Sequence, residues 1–295
     1  MLSVSVLSPK MLMKKETEDR GITNNFQISF QSFGVKIGVR ADSSDLVFEI
    51  KNELSKINPN GFEIIDDSQV EHLFEIKSKK DKSLEIKKDG ELLALWTPEK
   101  KVLPYLQSQI RLTVAEYAES KVFLHAGAVG WKGRAIIIPA HSFSGKSTLV
   151  AELVKRGALY YSDDFAVLDQ KGLLHPFHRQ ISLRGFENKY TQVDFSVESL
   201  GGQASNEPIP IGIVLITKYR EGNKNPKNWN PRILSGGRGI MEILSHTIPI
   251  RYNPKFSLKV LNKVSKRAII CKSQRGEAGE FVDLLLNFIE THVIK

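Results

Sequence analysis

The chain has 295 residues, of which 41% are hydrophobic and 25% charged, with a single cysteine. That balance excludes a disordered chain, a collagen and a disulfide scaffold, and fits one large or two modest globular domains. The formal net charge of +9 is unevenly spread: residues 1–100 carry 15 basic and 17 acidic side chains, residues 101–295 carry 27 and 16.

The first 24 residues are polar, charged and aperiodic, and read as a loose leader with no cleavable signal peptide. Residues 26–40 alternate as a hairpin bent around Gly34, and Leu46 to Ile57 carries apolar residues at helical spacing up to a turn at Asn58-Pro59-Asn60-Gly61. Three strands come next, HLFEIKS, SLEIKKD and ELLALWT, the last two joined by an Asp89-Gly90 turn, and a helix is expected from about Pro98 to Glu119. Residues 25–120 thus read as a small α+β module that carries no chemical motif.

From residue 121 the pattern changes. Val122-Phe123-Leu124 leads to His125, and Arg134 to Pro139 is a short apolar run of the kind that forms a strand buried on both faces. Ser147 to Arg156 has helical composition, with Gly157 placed for a left-handed cap. Strands are expected at Ala158–Tyr161, at Phe165–Leu168, onward to Leu183, at Ile211–Thr217 and at Ala268–Cys271. Helices are expected at Arg238–Ser245, Lys255–Ser265 and Gly276–Thr291. No apolar run approaches the roughly 18 residues of a membrane span. Cys271, the lone cysteine, permits no intrachain disulfide and fits a cytoplasmic setting.

The chemistry concentrates between the buried strand and the helix after it. Ala140, His141, Ser142, Phe143, Ser144, Gly145, Lys146 and Ser147 match the phosphate-binding pattern G-x-x-x-x-G-K-[ST] everywhere except the first position, where Ala140 stands. Such a loop aims backbone N–H groups and the positive end of a helix dipole at one point, which suits a polyphosphate. Lys146 would reach the outer phosphates, the Ser147 hydroxyl would ligate Mg²⁺, and Thr148 completes the Gly-Lys-Ser-Thr run. Asp163 and Asp164 end the next strand, where a carboxylate can face the phosphates and hold Mg²⁺.

Together these residues resemble the catalytic domain of the HPr kinase/phosphorylase family. The resemblance rests on Leu124-His125-Ala126-Gly127, the loop at 140–147, Leu153-Val154-Lys155-Arg156-Gly157 and Ser162-Asp163-Asp164, in the family's order and spacing across Lys121 to Leu183. The segments around His175-Pro176 to Arg184 and Arg275-Gly276-Glu277-Ala278 look more like HPr-kinase-related kinases, including those that accompany ribosomally made peptides. Three positions depart from the family pattern. Ala140 and Phe143 replace glycines, and Ser182 stands where a Glu precedes the Arg-Gly pair, here Arg184-Gly185. The missing carboxylate weakens the case for a second metal contact, for phosphorolysis, and for HPr itself as the substrate.

The resemblance implies a P-loop α/β kinase domain over residues 121–295 that transfers the γ-phosphoryl of ATP to a hydroxyl, a serine in a protein or peptide. It implies Asp163 as the proton acceptor, oriented by His125 acting as a neighbouring cation, and Ser147 with Asp164 as Mg²⁺ ligands. Arg184 and Arg275 are further candidates for neutralising phosphate charge. The alternative is a non-catalytic, nucleotide-binding regulatory or maturation protein, and a second copy of the chain is also admitted as a partner. Between Lys218 and Arg275 lie 14 basic residues and two acids, Glu221 and Glu242. That run reads either as a solvated face or as a surface for an acidic partner. Without interleaved aromatic residues it does not lead us to expect nucleic-acid recognition.

Overall fold

The computed structural model describes residues 25–57, 61–96, 102–141, 144–184, 191–225 and 229–294. The expected leader at 1–24 lies outside them, as do Asn58-Pro59-Asn60, Ser142, Phe143, Gly185 and Lys227. The chain is mixed α/β and forms two compact units, one ending at Arg111 and the next starting at Leu112. Among the described residues no helix is long and apolar enough to cross a membrane.

The first unit contains β1 (Phe26–Ser32), β2 (Val35–Ala41), α1 (Ser44–Ile57), β3 (Glu63–Ile64), β4 (His72–Ser78), β5 (Leu84–Lys88), β6 (Glu91–Trp96) and the start of α2 (Val102–Tyr117). Its sheet runs β3-β1-β2-β4-β5-β6, and β2 and β4 are its parallel pair. The Asp89-Gly90 turn has φ of 52° and 82°, the doubly left-handed geometry that suits a two-residue hairpin. Helix α1 buries Val47, Ile50, Leu54 and Ile57, the three-and-four spacing visible in the sequence. The division falls inside α2, earlier than the boundary expected at 120/121. The last six residues of that helix fall in the second unit, where the Tyr117 ring packs on Tyr252 at 4.3 Å.

The second unit contains β7 (Lys121–Trp131), β8 (Arg134–Pro139), α3 (Lys146–Lys155), β9 (Leu159–Ser162), β10 (Phe165–Asp169), β11 (Leu173–His175), β12 (Ile181–Arg184) and β13 (Gln192–Phe195). It continues with β14 (Ile209–Tyr219), β15 (Arg232–Ile233), α4 (Gly236–Leu244), α5 (Pro254–Arg267), β16 (Ile269–Arg275) and α6 (Ala278–His292). The main sheet runs β11-β10-β7-β8-β14-β16-β15, with β9 paired to β7. Strands β8, β14 and β16 are parallel, while β7 and β15 run antiparallel to their neighbours. The Ile136-Ile137-Ile138 run shows why such a strand lacks polar alternation. Ile136 and Ile138 pack with α3 and α6 on one face, and Ile137 packs with α4 and α5 on the other. Each of these fully buried side chains contributes about 1.5–3 kcal/mol.

Strand β7 is much longer than the Val122-Phe123-Leu124 core read from sequence. Its second half, Ala126-Gly127-Ala128-Val129-Gly130, has the small residues that strand propensity disfavours, and pairing with β8 and β9 decides the matter. The two-residue strands β3 and β15 carry no sequence signal of their own. Cys271 is buried in the α3–α6 core, and burial pushes its thiol up to about 12.

Candidate active site

The loop from β8 to α3 ends at Gly145, whose φ of 79° and ψ of 19° place it in the left-handed region that favours glycine. Helix α3 begins at the next residue, Lys146, and no side chain caps its first turn. Its leading N–H groups are therefore not claimed by a side-chain cap, in the arrangement that cradles an anion. Ala140 has no positive φ, so alanine is accommodated there without backbone strain, and its N–H donates to the His125 carbonyl at 3.3 Å. Ser144 has a buried, unpartnered hydroxyl, His141 and Thr148 are exposed, and Ser142 and Phe143 lie outside the described residues.

Two close approaches fix the loop from behind. A Cβ at Gly127 would stand 2.5 Å from Val150 Cγ2 and 3.1 Å from Lys146 Cγ, so only glycine on β7 lets the first turns of α3 lie this near the sheet. Arg275, 2% exposed at the end of β16, donates from Nη2 to the Gly145 carbonyl at 2.8 Å and from Nη1 to the Gly276 carbonyl at 2.9 Å. Its guanidinium lies 5.3 Å from the Tyr219 ring centroid. The sequence suggests Arg275 as a candidate for meeting phosphate charge; it is instead a brace under the loop.

The acid pair splits into two environments. The β9–β10 turn is held by Ser162, whose hydroxyl accepts from the N–H groups of Asp164 and Phe165 at 3.2 and 3.1 Å. Asp163 is 6% exposed; its Oδ2 accepts from the Ser182 N–H at 3.1 Å, and the Ser147 side chain stands near enough to help stabilise its carboxylate. Its Oδ1 is buried with no hydrogen-bond partner. Burial raises its pKa to about 6, against the opposing pull of Lys146, Ser147 and Ser182. Lys146 is pushed down by burial, while the Asp163 and Asp164 carboxylates pull it back up.

Asp164 faces elsewhere. Its Oδ2 pairs with Arg179 Nη1 at 2.6 Å, and its Oδ1 lies 4.0 Å from His125 Nδ1. The carboxylate beside His125 is thus that of Asp164, not the expected Asp163. The expected cation is also different: burial, then Lys146, push His125 down to about 4, so it is neutral at pH 7, and Arg179 supplies the positive charge.

Arg179 and His246 escape sequence reasoning, since neither lies in a motif. His246 comes after α4; its carbonyl accepts from the His125 N–H at 2.8 Å, and its ring lies 4.6 Å from that of His141. Burial, with His141 and His125 nearby, holds His246 near 4. Arg184, at the end of β12, stands close enough to depress Lys146 and donates to Gln192 Oε1 at 3.2 Å.

These residues fit a magnesium–polyphosphate. Mg²⁺ is held through one or two protein oxygens plus phosphates and water. The neighbouring Ser147 and Asp163, with the unpartnered Oδ1, offer that small donor set. Among the described residues no three His, Cys, Asp or Glu side chains gather as a self-sufficient metal cage.

No family model and no curated protein matches the chain. Among solved structures it is similar to an Hpr(Ser) kinase/phosphatase from Coxiella burnetii, at 16% identity over 58% of this chain and 96% of that one, with a TM-score of 0.35. A likeness of that degree carries nothing about activity, and the reading of this site rests on its own residues.

Proposed function

We propose that the second unit is a magnesium-dependent kinase that transfers the γ-phosphoryl group of ATP to a hydroxyl, a serine of a protein or peptide. The observation that supports it best is the junction at Gly145–Ser147: a left-handed glycine, an uncapped helix start, a half-buried lysine, and a hydroxyl beside a buried carboxylate with one oxygen unpartnered. The loop amides and Lys146 would hold the phosphates. Ser147 and Asp163 would hold Mg²⁺, which when bound neutralises phosphate charge. Asp164, outside that pair and beside neutral His125, is assigned as proton acceptor, a revision of the roles read from sequence.

In the transfer the acceptor oxygen forms a bond to the γ-phosphorus while the bond to the β–γ bridging oxygen breaks. ADP leaves with that electron pair, and the acceptor proton passes to Asp164. Such transfer depends chiefly on positioning and charge neutralisation. The reading includes action on a polypeptide in a reducing, cytoplasmic setting, and leaves self-association to measurement.

One observation favours the second reading, a nucleotide-binding regulator without transfer: Arg179 already engages Asp164 at 2.6 Å. Mg-ATP calorimetry with a transfer assay separates the two. A kinase binds Mg-ATP and labels a hydroxyl. A regulator binds and labels nothing.

A further inference from the structure

Beyond the phosphate loop, the second unit has an open groove of about 600 Å³ lined by Arg232, Leu234, Arg238, Met241, Glu242 and Lys272. One wall is helix α4; the other is the sheet edge, where the short strand β15 ends the strand order. The groove concentrates charge in an unfavourable way. Arg232 and Lys272 stand directly opposite each other across the β15–β16 pair, and like charges so placed destabilise a sheet. Lys272 is relieved by Glu242 at 2.6 Å. Arg232 and Arg238 have no acidic partner among the described residues. Arg238 also sits in the first turn of α4, where a cation opposes the helix dipole. Beside these charges Met241 is 69% exposed, although Ile240, Ile243 and Leu244 of the same helix pack on the sheet. An occupant carrying acids and apolar side chains would relieve both conflicts and cover the methionine.

The groove approaches the phosphate loop at the end of α4, where Ser245 lines it and the next residue, His246, lies against His141 of the loop. His246 is 8% exposed, and its Nδ1 has no hydrogen-bond partner. Resting on the kinase reading, we infer that this groove binds an extended, acidic segment of the acceptor polypeptide, with apolar residues between its acids, and leads its hydroxyl to Lys146. An extended segment suits an exposed edge strand, which can add a partner strand. A nucleic acid is the poorer match, because Glu242 lies in the groove and, among the described residues, no aromatic ring lines it.

The test uses the full chain and two labelled nonapeptides with a central serine, Glu and Leu alternating in one, Lys and Leu in the other. Binding is read by fluorescence anisotropy at low salt without nucleotide, and Mg-ATP binding is measured separately. The acidic peptide should bind the parent at least tenfold more tightly than the basic one. The double variant Arg232→Glu with Arg238→Glu should invert that preference while retaining Mg-ATP affinity. Equal binding of the two peptides by the parent, no binding of either, or an unchanged preference in the variant would overturn the inference. So would a single-stranded DNA oligonucleotide that displaces the acidic peptide at lower concentration than unlabelled peptide does. Loss of Mg-ATP binding in the parent would instead defeat the kinase reading, while peptide binding still reports on the groove.

Discussion

Replacing Asp163 with Asn should stabilise the nucleotide-free protein while removing its response to Mg²⁺. Burial holds the Asp163 pKa at about 6 against a reference of 3.8. A gap of about two pH units, at about 1.4 kcal/mol each, corresponds to roughly 3 kcal/mol held against the folded, ionised state at neutral pH. The sign comes from proton binding. The folded chain holds this proton more tightly than the unfolded chain, so stability falls as pH rises from about 4 to about 6 and stays reduced above that. Asn carries no charge and escapes the penalty, but the Ser182 N–H then meets a neutral acceptor, a loss of about 1 kcal/mol. The net gain of about 2 kcal/mol should raise the unfolding midpoint by roughly 4–8 °C at pH 8 in chelator. The gain should shrink towards pH 4. Thermal unfolding by circular dichroism across that range, with and without Mg-ATP, is the assay. In the parent Mg-ATP should raise the midpoint; in Asp163→Asn that shift should be small. A variant less stable than the parent at pH 8, or a gap independent of pH, would refute the assignment of Asp163 as a buried carboxylate awaiting a cation.

Lys146→Ala removes the lysine built into the loop and should weaken Mg-ATP binding at least tenfold, about 1.4 kcal/mol, by calorimetry, with the fold retained. Gly127→Ala should lower both stability and nucleotide affinity, because its Cβ would meet Val150 Cγ2 at 2.5 Å; a midpoint equal to the parent's would count against the close approach of α3. Arg275→Lys keeps the charge but loses the two-pronged hold on Gly145 and Gly276, so Mg-ATP affinity should fall in calorimetry through the loop's geometry. His125 and His246 are held near 4, below the ordinary histidine value, so the folded state binds fewer protons and loses stability as pH falls from about 6.5 to 4. His246→Phe should flatten that acid limb in pH-dependent unfolding.

The buried strand, the glycine-ended loop and the helix after it are legible in the sequence because local rules govern them. An apolar triplet without alternation, a glycine where the backbone turns left-handed, and a helix with apolar residues at three-and-four spacing each act within about ten residues. The roles within Asp163-Asp164 are not legible, because adjacent side chains on a turn point to different surroundings. Ser147 and Ser182 claim the first, and Arg179 claims the second across 15 residues of chain. The same limit hides His246, which meets His141 only because α4 ends beside the loop. Arg275 misleads in the other direction. Its sequence context matches a phosphate-facing arginine, but its burial behind Gly145 is a tertiary fact. The charge excess between Lys218 and Arg275 is plain in composition, whereas the convergence of Arg232, Arg238 and Lys272 on one groove depends on which residues β15 and β16 bring opposite each other.

Transfer of phosphate to a hydroxyl at the Lys146 site can be read in one experiment, in which ATP and Mg²⁺ are supplied with a library of serine peptides rich in acidic and apolar residues. Mass spectrometry then identifies the products. Phosphoserine should appear on acidic peptides with stoichiometric ADP, abolished by Lys146→Ala and reduced by about 10²–10⁴ in Asp164→Asn. Tight Mg-ATP binding with no labelled peptide, or with inorganic phosphate as the only product beside ADP, would contradict the kinase assignment.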